Sequence, residues 1–121
     1  MSGNRQKTGK DGEQKALSYL IKKNYQIIET NWRHQKCEID IIAFKNKELV
    51  FFEVKTRTNS SISQENLISI AQQKRIIYAA DYYINKNKID LYIRFDLIYV
   101  EKDLKSFKFT HFKEIFIPTI D

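Results

Sequence analysis

The 121 residues include one cysteine, one proline and three glycines. A lone Cys37 excludes an internal disulfide and fits a reducing compartment. One cysteine and two histidines, His34 and His111, are too few for a structural zinc site of thiolates and imidazoles. With Pro118 as the only proline, few breakers interrupt the chain, so its helices and strands should be long. No run approaches the roughly 20 apolar residues of a membrane span. The opening stretch MSGNRQKTGKDGEQK lacks the apolar core of a signal peptide. These absences lead us to expect a soluble, cytoplasmic protein with neither repeats nor an interdomain linker.

What is present describes one globular unit. Hydrophobic residues make up 42% and charged residues 30%, which separates the chain from disordered sequences. The excess of 21 basic over 15 acidic residues, a formal charge of +6, suits a polyanionic partner, although Lys-rich solvated surfaces carry the same excess. Residues 1–10 read as a mobile basic arm and 11–121 as a single domain. From Asp11 to Lys23 the positions of Ala16, Leu17, Leu20 and Ile21 predict a helix. Tyr25–Trp32, Cys37–Phe44, Glu48–Thr56 and Leu91–Val100 read as strands, and 106–117 as one or two more. Helical period returns over 66–86, after a polar stretch, Arg57–Asn66, that reads as a loop. The order αβββαβ predicts an α/β fold with a central mixed sheet flanked by helices.

The informative positions are charges set where apolar residues belong. In a strand, residues i and i+2 share a face. Glu38, Asp40, Ile42 and Phe44 therefore point one way, and Cys37, Ile39 and Ile41 the other. A two-residue turn at Asn46-Lys47, where Asn tolerates positive φ, pairs Phe44 with Leu49, Ile42 with Phe51, Asp40 with Glu53 and Glu38 with Lys55. The opposite face then joins Ile41 to Phe52 and Ile39 to Val54, wholly apolar. A slip of one residue would mix the faces. This register sets two carboxylates opposite each other with Cβ atoms roughly 5 Å apart. At about 4 Å and an effective dielectric near 20, two such charges repel by ~4 kcal/mol. Lys55 or a bound divalent cation could compensate, and oxygen ligands suit Mg²⁺ or Mn²⁺. Glu13, centred on the stripe of Ala16, Leu17 and Leu20, could reach the same sheet face. So could Lys74, among Leu67, Ile70, Ala71, Ile77 and Tyr78.

Asp40, then twelve intervening residues, then Glu53-Val54-Lys55 resembles the motif of the PD-(D/E)xK nuclease superfamily. Gly9-x-x-Gly12-Glu13, Asn31-Trp32-Arg33, Glu38-Ile39-Asp40, Phe52 to Arg57, Lys74 and Phe95-Asp96 together resemble the small bacterial YraN-like family, which is similar to archaeal Holliday junction resolvases. Cys37 stands where a glycine usually precedes the Glu-Ile-Asp triplet. The resemblance implies a restriction-endonuclease-like core and a metal-dependent, structure-selective DNA endonuclease. Asp40, Glu53 and the carbonyl of Val54 would ligate Mg²⁺ or Mn²⁺, and Lys55 would be the catalytic lysine. Glu13 would complete the acidic set, as a ligand or by holding a water. Arg33, Arg57 and Lys74 would contact phosphates of branched or recombination-intermediate DNA. Symmetric cutting of a four-way junction would require a homodimer.

Each residue also has an ordinary reading. Glu13 suits the first turn of a helix, and Lys74 can snorkel past apolar neighbours. Glu38 and Lys55 read as a cross-strand ion pair, and Cys37 as a buried thiol. Gly9-x-x-Gly12 lacks the Lys-Ser/Thr of a phosphate loop and reads as flexibility at a helix entry. Tyr78, Tyr82 and Tyr83 could stack on bases or simply pack. Asp96 could join the acidic cluster or pair near Arg94. The alternative function is a non-catalytic or partner-dependent nucleic-acid-binding protein that keeps the nuclease fold.

Overall fold

The computed structural model describes residues 2–58 and 67–118, with side chains from residue 9 onward. Helix α1 (Ser2–Lys22) precedes strands β1 (Gln26–His34), β2 (Cys37–Lys45) and β3 (Glu48–Thr58). Helix α2 (Ile70–Lys86), β4 (Tyr92–Lys102) and β5 (Phe107–Phe112) follow. The strands form one sheet in sequence order. All neighbours are antiparallel except β3 and β4, which run parallel because α2 carries the chain back across the sheet. This α/β architecture matches a restriction-endonuclease-like core. Helix α1 begins at Ser2, so the residues read as a free arm continue it as helix. Strand β3 runs on to Thr58, past the start of the expected loop, and the remainder of that loop, 59–66, lies outside the described residues. No described helix is long and apolar enough to cross a membrane.

The sheet separates two cores, and β3 shows why. Leu49 and Phe51 enter the cluster under α2, with Ile76, Ala79, Ala80 and Tyr83. Val50 and Phe52 enter the cluster under α1, with Ala16 and Leu20. Burying a side chain such as Phe51 or Phe52 contributes roughly 1.5–3 kcal/mol. The turn between β2 and β3 has positive φ at both Asn46 and Lys47, the twist a two-residue hairpin requires. The pairs Phe44/Leu49, Ile42/Phe51 and Ile41/Phe52 form as the alternation predicts.

Scarcity of glycine shifts positive φ onto other residues. Asn24 and Lys88 take left-handed conformations just past α1 and α2. There Tyr25 N–H donates to Leu20 O and Ile89 N–H to Ile84 O, each at 3.0 Å, closing Schellman caps. Gly12 serves close approach instead. It is buried where α1 crosses β3, and a Cβ added there would overlap Thr56 Oγ1. Helix-entry flexibility is therefore not its role; the missing side chain lets α1 sit against the sheet one residue before Glu13.

Asp96, only 1% exposed, is the buried charge among the described residues. Its two oxygens accept from Arg94 Nε and Nη2 at 2.8 Å, from His111 Nε2 at 2.8 Å and from Glu114 N–H at 2.9 Å. Arg94 also donates to Glu48 and to the Tyr25 hydroxyl, and Tyr19 reaches His111 Nδ1. Burial alone would raise Asp96, but the His111 and Arg94 bonds, with the Glu114 N–H, hold it below the usual carboxylate range. The network ties β4 to α1, β3 and β5, and settles Asp96 as Arg94's partner.

Candidate metal and phosphate site

The β2–β3 ladder runs from Lys45/Glu48 to Ile41/Phe52 and stops one pair short of Asp40/Glu53. Asp40 Oδ2 instead accepts the Val54 N–H at 2.8 Å, a side chain bonding where the two backbones no longer pair. On the other side of β2, Thr30 pairs with Ile41 and Trp32 with Ile39, which leaves Asn31 opposite Asp40, in a left-handed conformation at φ 49. Strict alternation breaks there. Ile39 packs with Ile42 under α2, whereas Ile41 packs under α1, so Ile39 and Ile41 do not share a face.

The splayed strands open a pocket of ≈ 190 Å³ lined by Lys36, Cys37, Glu38, Asp40, Glu53, Gln72, Arg75 and Ile76. The two carboxylates thus meet in one cavity without the ladder pairing the register predicts. Burial raises Asp40 to about 8, and the nearby charge of Glu53 adds to the rise; the Val54 N–H opposes it. Glu53 is also raised, chiefly by burial, with Lys55 pulling the other way. Lys55 Nζ stands 3.7 Å from Glu53 Oε1. Between them, Gln72 accepts from Lys55 at 3.1 Å and donates to Glu53 at 3.2 Å. Glu13 is near enough to act on both carboxylates. Burial raises it, an Asn31 hydrogen bond lowers it, and its charge adds to the rise of both Asp40 and Glu53.

Several assignments change. Lys74 is exposed and does not line the pocket. The stripe it was phased to is not the core face: Ile70 is 65% exposed and Tyr78 49%, while Ile76, Ala79, Ala80 and Tyr83 are buried. The small alanines let α2 approach the sheet, and that phasing turns Gln72 and Arg75 toward the pocket. Glu38 pairs with Arg33 at 3.5 Å rather than with Lys55, because the two face each other across β1 and β2. Cys37 lines the same pocket as Asp40 instead of an opposite face. Arg57 is exposed and bonds the Thr56 carbonyl. Gln72, Arg75, Lys36 and Asn31 escape a search for charges in apolar patterns. Gln72 would have been found by phasing α2 on its alanines, where it is the polar member of the buried face.

Among the described residues no three His, Cys, Asp or Glu side chains are gathered in an arrangement that could hold an ion by themselves. The donors that could do so are Asp40 and Glu53, with the carbonyl of Val54 as a backbone oxygen. Glu13 stands outside this set. Two crowded, half-buried carboxylates of raised pKa, with neutral Gln72 and cationic Lys55 beside them, are a donor set of the kind a hard divalent cation takes.

Comparison with known proteins gives the chain its family. The family described as "Uncharacterised protein family UPF0102" matches residues 12–100, a span holding Glu13, Asp40, Glu53, Lys55 and Gln72. A UPF0102 protein of Flavobacterium psychrophilum is 45% identical over 109 residues, covering 89% of this chain and 92% of the relative. One from Bacteroides thetaiotaomicron is 42% identical over 113 residues, covering 93% of each chain. A more distant relative from Clostridium botulinum is 39% identical over 108 residues, covering 86% of this chain and 88% of its own. With matches of this extent, and with the motifs of the YraN-like group in their expected order, the chain belongs to the UPF0102 family.

Proposed function

We propose that the protein is a metal-dependent, structure-selective DNA endonuclease that hydrolyses phosphodiester bonds, similar to Holliday junction resolvases. The observation that carries this reading is the meeting of Asp40, Glu53 and the Lys55–Gln72 pair around one pocket edged by Lys36 and Arg75. Asp40 and Glu53, with the Val54 carbonyl, would hold Mg²⁺ or Mn²⁺. That cation would polarise the phosphate and lower the pKa of a water. Lys55 places its ammonium beside Glu53, where it neutralises negative charge developing on a phosphate oxygen. Gln72 fixes both partners through its amide, so neither side chain rotates freely. Glu13, tied to Asn31, shapes the field behind the carboxylates. Arg33, Arg57 and Lys74 are exposed cations suited to flanking phosphates, a contact that is salt-dependent and largely blind to sequence. Two copies would be needed to cut both strands of a junction symmetrically.

The test begins with melting, which needs no substrate. Mn²⁺ should stabilise the wild type, by about 2.7 kcal/mol at a hundredfold excess over its Kd. Asp40→Asn should abolish that shift. Cleavage is then screened on junction, flap, single-stranded and linear duplex DNA with Mg²⁺ and Mn²⁺, and Lys55→Ala should remove it. Binding without cleavage on every substrate would favour the non-catalytic alternative. A wild type indifferent to Mn²⁺ and Mg²⁺ would end the metal-site reading.

A further inference from the structure

Outside the pocket, the molecule's most unusual surface is aromatic. The rings of His34, at the tip of the β1–β2 hairpin, and Tyr82, on α2, stack at 3.6 Å between centroids with only 9° between planes. Tyr78 leans on the same imidazole at 5.6 Å. Beneath them Trp32 stacks on Tyr82 and meets buried Tyr83 edge-on. The column is therefore rooted in the core and rigid at its base, yet Tyr78 is 49% exposed and Tyr82 40%. Burial alone would not leave two tyrosine rings standing in water on a helix whose core face is already filled.

Position gives this surface a direction. Arg75, Tyr78 and Tyr82 stand at i, i+3 and i+7, one stripe of α2. Arg75 lines the acidic pocket, and Lys36 lines it from the hairpin side. At the far end, Lys86 Nζ lies 5.9 Å from the centre of the Tyr82 ring. From Arg75 to Lys86 the stripe spans roughly 16 Å of helix. Cations at both ends with aromatic rings between them are complementary to a phosphate backbone carrying unpaired bases, and to neither a neutral peptide nor a paired duplex, whose base faces are hidden.

We infer that Tyr78 and Tyr82, with His34, form a stacking platform that holds unpaired bases of a nucleic-acid strand leading into the Asp40–Glu53 pocket. The inference rests on the nuclease reading for the role of the pocket, but the platform's binding does not depend on catalysis. It deepens that reading by naming the substrate feature: a single-stranded stretch beside the scissile phosphate, as at a flap or an opened junction, rather than continuous duplex.

The experiment measures binding of the full-length protein to a labelled oligothymidylate and to a duplex of equal length, in EDTA so that no cleavage occurs. The single strand should bind at least tenfold more tightly. Tyr78→Leu and Tyr82→Leu should each weaken it about tenfold while leaving the salt slope unchanged, because stacking releases no counterions. Arg75→Ala should instead reduce that slope by about one. Tyr78→Phe and Tyr82→Phe should restore binding, since the ring and not the hydroxyl is the contact. If a leucine variant loses its fold, the phenylalanine pair and the emission of Trp32, the chain's single tryptophan and a neighbour of Tyr82, still decide the matter: single-stranded DNA must change that emission and duplex must not. Equal affinity for both forms, or leucine variants that fold and bind normally, would overturn the platform, as would binding of anionic vesicles in preference to DNA. Loss of Mn²⁺ stabilisation and of cleavage with intact single-strand preference would sink the nuclease reading instead, so the two failures are distinct.

Discussion

Asp40 and Asp96 are the same residue type, both withdrawn from water, and they behave in opposite ways. Asp96 accepts four hydrogen bonds, three of them from side chains of Arg94 and His111, and is held below its ordinary range. Asp40 has one N–H partner, faces the charge of Glu53 and is pushed up to about 8. Burial opposes the charged form at both sites; the difference lies in whether partners have been supplied. A saturated carboxylate is structural. One left crowded beside another carboxylate, with a lysine and a glutamine in attendance, is the one on which the proposed metal site rests.

Breaking the saturated site should cost most. Asp96→Asn removes the buried charge that faces Arg94 and His111, leaving Arg94 only Glu48 and the Tyr25 hydroxyl, and should destabilise by about 3–5 kcal/mol, read by urea denaturation. A loss below ~1 kcal/mol would mean the network is not holding β4 and β5 together. Next, Gly12→Ala forces a methyl into Thr56 and should cost roughly 1–3 kcal/mol, lifting α1 and with it Glu13. The change at the unsaturated site should have the opposite sign: without divalent cations, Asp40→Asn should stabilise by on the order of 1–3 kcal/mol, because it removes a carboxyl whose charge is disfavoured by burial and by Glu53, and keeps an oxygen for the Val54 N–H. Smallest is Arg33→Ala, which breaks a surface pair whose arginine side chain is 65% exposed and should move stability by no more than ~1 kcal/mol.

Proton linkage sharpens the same contrast. Asp40 binds its proton more tightly folded than unfolded, so stability of the metal-free protein should fall as pH rises from about 4 toward 8. Asp96 binds its proton less tightly when folded. Its contribution is present above the unfolded value and should disappear as pH falls through the lower folded one. Denaturation curves taken at several pH values should thus show an acid limb and a neutral decline. Saturating Mn²⁺ should flatten only the decline.

Much of this was readable in the residues. Alternation in β2 and β3 with Asn46-Lys47 between them is enough to pair Phe44 with Leu49 and Ile42 with Phe51, and to bring Asp40 near Glu53. A one-residue slip would have set Glu53 against Ile39 and mixed the two faces, each of which packs into its own core. Helix α2 was harder, because its sequence offers two apolar phases. The larger side chains, Ile70 and Tyr78, suggest one; the alanines, Ala79 and Ala80, occupy the other and are the ones buried. Close helix–sheet approach favours small residues over large ones, and hydrophobicity by itself does not signal that. Lys74 stands exposed, and Gln72 and Arg75 line the pocket, for this one reason.

The sequence by itself determined the class of fold, the hairpin register and the identity of the acidic pair with its lysine, because each follows from local periodicity and one turn. Tertiary structure alone decided that the ladder opens at Asp40, that Gln72 bridges Glu53 and Lys55, and that Asp96 is spoken for by Arg94 and His111. Those outcomes depend on which side chains arrive from distant elements to compete for the same hydrogen bonds, and that competition is resolved only when α1, α2 and β5 are docked on the sheet.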